Sequence, residues 1–62
     1  MANFTLSELN SLSEIIDCEK NIYYKYEEYS KIVTDSQLKD KLQRCAAAHK
    51  NQYKLLEEFI KG

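Results

Sequence analysis

A chain of 62 residues with one glycine, no proline, two cysteines and a formal net charge of −1 excludes several classes of protein. It makes one domain at most, has no basic stripe of the kind nucleic acid requires, and has no apolar run long enough to span a bilayer. A core of this size is marginal and usually needs disulfides, metal or oligomerisation. Two cysteines make a poor disulfide framework, so the expected setting is reduced and cytoplasmic.

The opening MANFTLSELN has no positive region followed by an apolar stretch, and so does not read as a signal peptide. Thr5-Leu6-Ser7-Glu8 fits a capping box, in which the hydroxyl and the carboxylate satisfy orphan backbone donors. Ser11-Leu12-Ser13-Glu14 has the same spacing, but Leu6 and Leu9 already belong to the apolar pattern, which favours the earlier start. Phe4 is then placed to staple against Leu9. The stripe runs Leu9, Leu12, Ile16, Glu19, Tyr23, Tyr26, Ser30, Val33, in alternating steps of three and four, which is one helix face. Ile15, Ile22 and Tyr29 widen it on one flank, as a helix with more than one neighbour requires.

The pattern stops at Thr34-Asp35-Ser36. Thr34 and Gln37 have capping-box spacing, and Asp35 and Ser36 are alternative caps. A second stripe follows through Leu38, Leu42, Cys45, His49, Gln52, Leu56 and Phe59, with Ala46, Tyr53 and Ile60 on its flank. Gly62 suits the position past a helix end. The reading is all-α: helices over about 6–33 and 37–61, joined so briefly that they form an antiparallel hairpin. Glu27–Lys31, Asp40–Arg44 and Glu57–Lys61 are outward i,i+4 pairs with the acid first, each stabilising by about 0.2–0.5 kcal/mol.

Each stripe holds one residue foreign to a core: Glu19 on the first, His49 on the second. Ser30 and Gln52 are milder exceptions. A carboxylate buried without a partner costs several kcal/mol or takes up a proton. If the turn centres near Asp35, residues at one height have numbers adding to about 70, so Glu19 and His49 lie about 3 Å apart along the axis and meet across the hairpin. Tyr23 and Tyr26 then face the run Ala46-Ala47-Ala48. The hairpin's broad apolar face needs cover, and a second copy supplies it: a C2 homodimer forming a four-helix bundle, its axis along the bundle or across its middle. Both Glu19 and both His49 residues gather in one central layer, either as a polar layer that fixes register or as the raw material of a metal site. Cys45 stands four residues before His49, a spacing that chelates zinc and equally suits a small core cysteine opposite bulky side chains. Tyr24 points away from the stripe, as a surface ring or a partner contact, and Cys18 falls beside it without an assigned role.

From Glu19-Lys20 through the tyrosine-rich turn Tyr23 to Tyr29, the loop with Asp35, Gln37-Leu38-Lys39 and the run AAHKNQY over residues 47–53, the chain resembles the helical hairpin of spore coat protein F-type sequences. These belong to the wider ferritin-like, rubrerythrin-like group, and the resemblance covers nearly the whole chain. Ferritin-like proteins that hold two metals use a Glu on one helix and a Glu-x-x-His on the next. Glu19 matches the first and His49 matches the histidine, but Ala46 stands where the second Glu belongs. A dimer therefore offers two Glu and two His rather than the carboxylate-rich set of oxygen-activating di-iron sites. The resemblance implies a remnant mononuclear site or none.

Two functions compete at this stage. One is a noncatalytic, self-associating structural protein of coat type, with no cofactor, spore-associated by resemblance, and with protein partners in a coat assembly. The other is a ferritin-like metal-binding or redox protein holding Fe, Mn or Zn through Glu19, His49 and Cys45. A third is an adaptor whose apolar face receives a helix from another protein. Hydrolytic or transferase catalysis finds no support, since no phosphate-binding glycine loop or nucleophile elbow is visible.

Overall fold

The computed structural model describes residues 3–61, and the expected role of Gly62 lies outside them. Two helices, α1 (Leu6–Ile32) and α2 (Ser36–Lys61), pack against each other as an antiparallel hairpin, and no strand occurs among the described residues. Each ends about one residue earlier or starts one earlier than the periodicity suggests. The Cα trace measures 46 × 16 × 10 Å, a short rod two helices wide.

The helix ends follow side-chain chemistry. Thr5 and Glu8 form the expected capping box: Glu8 N–H donates to Thr5 Oγ1 at 3.1 Å, and Thr5 N–H donates to Glu8 Oε1 at 2.9 Å. Phe4 lays its ring against Phe59 of α2, centroids 5.5 Å apart. Val33 leaves α1 in an extended conformation, its N–H still donating to the Tyr29 carbonyl at 3.2 Å. Of the candidate caps for α2, Asp35 is the one used, its Oδ1 accepting from Gln37 N–H at 2.8 Å and Leu38 N–H at 3.0 Å. A carboxylate accepts from two orphan donors and suits the positive end of the helix dipole, which Thr34 does not match.

On α1 the inward row is the expected one. Leu9, Leu12, Glu19, Tyr23, Tyr26 and Val33 are half-buried, and Ile16 and Ser30 are buried at 7% and 3% exposure. Ser30 answers its own polar problem, donating its hydroxyl to the Glu27 carbonyl at 2.7 Å. On α2 the inward row differs from expectation by one position. It runs Lys39, Leu42, Ala46, His49, Tyr53, Leu56, Ile60, with Ala46 at 1% exposure. Leu38, Cys45, Gln52 and Phe59 are exposed instead, so Cys45 is not a core cysteine and Gln52 is not a polar exception in a core. The Ala46 methyl admits the close approach of α1 that a larger residue would prevent. The rings also meet partners beyond the alanine run: Tyr23 packs against Tyr53 at 6.1 Å, and Tyr26 stacks on His49 at 5.6 Å. Side chains lean toward the N-terminus of their own helix, so on antiparallel helices long rings meet partners further apart in sequence than backbone height implies.

The hairpin has two unlike edges. Three residues beyond Leu12, Glu19 and Tyr26 stand Ile15, Ile22 and Tyr29; three beyond Leu42, His49 and Leu56 stand Cys45, Gln52 and Phe59. In an antiparallel pair these rows lie on the same side, and Phe59 duly shares a groove with Leu12 and Ile15. The opposite edge is charged. There Lys20 bridges to Glu57 at 3.1 Å and lies over the Tyr53 ring, while Lys50 lies over Tyr23. The bridge to Lys20 takes Glu57 away from Lys61, and Lys31 pairs with Glu28 at 3.4 Å rather than with Glu27. Asp40–Arg44 forms as expected, at 3.0 Å.

Ala46→Leu overfills the closest approach and costs about 1–3 kcal/mol in urea unfolding at fixed protein concentration, whereas Ala47→Leu on the exposed side is near neutral. The backbone hydrogen bond from Thr5, followed by that from its hydroxyl, holds the Glu8 carboxyl below the ordinary carboxylate range. Its contribution is therefore present above that range and lost as pH falls through it. Acid titration followed by amide exchange in the first turn of α1 shows fraying that Glu8→Gln makes independent of pH. The Lys20 amine, raised by the Glu57 hydrogen bond and charge, has the opposite sign: its contribution holds below the ordinary lysine range and is lost in strong alkali.

Candidate functional site

Glu19 sits at the midpoint of α1 and His49 at the midpoint of α2. Capping and the short linker fix the register, and the register brings these two together as the sequence arithmetic anticipates. His49 Nδ1 lies 2.5 Å from Glu19 Oε2, a direct hydrogen bond across the hairpin. An ionised carboxylate only accepts, so with Glu19 ionised Nδ1 carries the proton and donates it. The imidazole plane is held by Tyr26, whose ring stacks on it with 15° between planes. Hydrogen bond and stack together leave the ring one orientation, with Nε2 as the nitrogen available to any further partner.

The pair is sheltered rather than enclosed, with side-chain exposure of 29% for His49 and 21% for Glu19. Its open side is the apolar edge. A shallow groove of about 450 Å³, lined by Ile22, Lys25, Tyr26, Tyr29 and His49, leads onto that edge. The site is thus a polar pair set into the margin of an apolar surface.

The third expected metal ligand, Cys45, is exposed with a free thiol, on the row beside His49 that runs along the apolar edge. Cys18 is likewise free and exposed. Among the described residues no group of three or more His, Cys, Asp and Glu side chains is arranged to hold a metal ion. The geometry also gives Glu19 the role of a residue that orients the imidazole, in the manner of the carboxylates behind metal-bound histidines. Chemically, one hairpin supplies a fixed imidazole with a carboxylate behind it, and no nucleophile aligned with either.

Sequence reasoning missed the stack of Tyr26 on His49 and the cross-helix pair Lys20–Glu57. Neither was signalled by the register arithmetic, since 20 and 57 add to 77 rather than to about 70. No helix of the described residues is long and apolar enough to cross a membrane. No protein-family model, curated protein or solved structure matches the chain.

A double-mutant cycle measures the pair. Glu19→Leu or His49→Leu alone strands a sheltered polar partner and costs about 1–2 kcal/mol in urea unfolding, discounted for partial exposure. The double substitution recovers most of that loss, since an apolar layer replaces the pair. Equal and additive losses would mean that the two side chains do not interact.

Proposed function

We propose that this chain is a small noncatalytic structural protein that pairs with itself, apolar edge to apolar edge, into a four-helix bundle. Its resemblance to spore coat protein F-type sequences makes a coat-type assembly the setting. One observation carries the reading: most of the exposed apolar surface lies on one edge. Ile15, Tyr29, Leu38 and Phe59 are exposed there, Ile32 and Leu55 lie beyond its margin, and Leu6 and Tyr24 stand on the side of Lys20, Lys50 and Glu57. Scattered exposed apolar residues need no explanation, but a one-sided surface does.

The surface area points the same way. The hairpin exposes 4961 Å², where a compact chain of 7.3 kDa exposes about 4,200 Å². The excess, roughly 800 Å², follows from the rod shape of two helices without a third layer, and is comparable to the share one partner gives to an interface of ordinary size. Pairing along this edge covers both Glu19–His49 pairs in one layer, where they set register as buried polar groups do in coiled coils. That role suits a pair with a short hydrogen bond and no aligned nucleophile.

The second reading, a ferritin-like metal site, draws on the same pair: each His49 Nε2 would face the layer with Glu19 behind it. Two imidazoles from two copies are a beginning of a ligand set, short of the four ligands of a structural zinc site.

Sedimentation equilibrium tests the first reading. The expected result is a mass of two chains, and Ile22→Lys on the apolar edge returns it to one while the helical circular dichroism persists. A native chain that stays monomeric at high micromolar concentration would overturn the proposal. Elemental analysis of fresh protein, with added Fe, Mn and Zn, separates the two readings: the dimer is expected to form without metal and to survive His49→Gln, and stoichiometric metal lost in that variant would favour the second.

A further inference from the structure

Two hairpins can pair along the apolar edge in two ways. With the two-fold axis along the rod, both turns lie at one end and each helix faces the other helix of its partner at the same height. With the axis across the middle, the turn of one copy lies over the chain ends of the other, and each helix faces its own counterpart running the opposite way. We infer that the partner on the apolar edge is a second copy in the second arrangement, head to tail. This rests on the self-association proposed above.

The argument is the charge along the rim of that edge. Glu8 lines the groove beside Phe59 and Ile15, in the half of the rod nearer the chain ends. Glu14 occupies the outer rim of the same half, by helical period, and no base stands on that rim among the described residues. In the turn half, Lys25 lines the groove beside His49 and Lys41 shares its rim, while further round Arg44 is paired with Asp40 and Glu28 with Lys31. The rim is therefore acidic toward the chain ends and basic toward the turn.

A lengthwise axis keeps height, so it sets acid on acid and base on base. A transverse axis inverts height about the middle of the rod and sets each basic half on an acidic half, twice per dimer. Like charges across an interface oppose it, and complementary ones select the register. Both arrangements leave the Glu19–His49 layer at the centre, because the pair lies at mid-height.

Charge reversal gives opposite signs for the two arrangements. Head to tail, Lys25→Glu puts an acid against the partner's acidic half and weakens the dimer about tenfold in sedimentation, and Lys25→Glu with Glu14→Lys restores it. With the lengthwise axis, Lys25→Glu would meet the partner's bases and tighten the dimer. The second measurement is a distance. In a Cys18→Ser, Cys45→Ser background, Thr34→Cys carries a spin label at the turn. Head to tail, the two labels stand roughly 40 Å apart, nearly the 46 Å length of the rod. Labels closer than about 25 Å in a sedimenting dimer, or a tighter Lys25→Glu dimer, would overturn the arrangement and leave self-association standing. A native chain that sediments as a monomer would remove self-association itself.

Discussion

A pair of helices has no inside. Each can hide only the stripe turned toward the other, and the rest of its surface meets solvent or another molecule. That constraint governs this chain. Only Ile16, Ser30 and Ala46 are buried among its described residues, and the largest side chains are half-covered at best. Backbone order is therefore secured by local devices: the Thr5–Glu8 box, the Asp35 carboxylate across the turn, and the absence of proline and of internal glycine. Burial alone is too thin to fix which row of α2 meets α1, and small residues at the closest approach carry much of that selection.

Much of the architecture is legible in the amino-acid sequence, and the misread parts share one cause. The row of α1 from Leu9 to Val33 is legible because polar and apolar residues alternate cleanly around it. The meeting of Glu19 with His49 is legible because the linker is too short to allow a large shift of register. The face of α2 is displaced by one position, because its apolar surface serves two directions at once. Periodicity finds the centre of all the apolar residues, which falls toward Leu38, Cys45 and Phe59. The helix contact needs only part of that arc, and Ala46, Tyr53 and Ile60 supply it. The displacement is thus a measure of how much apolar surface α2 keeps for something other than α1. Ion pairs were legible only within a helix, since Lys20–Glu57 depends on how the two helices are turned.

The acid and the imidazole stand at the border between these two directions. Inward they hold each other, with Tyr26 stacked on the ring. Outward they look onto the apolar edge. Under the proposed pairing, a partner seated there would have to leave that hydrogen bond intact, so the pair would gauge register more than supply affinity. The opposite edge, where lysines lie over tyrosine faces and Lys20 reaches Glu57, stays compatible with water.

The contact between Phe4 and Phe59 closes the rod at the end away from the turn. Tension drawn through those two segments would therefore act at right angles to the helix axes, on one layer at a time. The hairpin would peel like a zip, beginning with the aromatic clasp, and would yield at far lower load than if its helices were sheared along their length. Resistance to pulling would have to come from whatever lies across the seam.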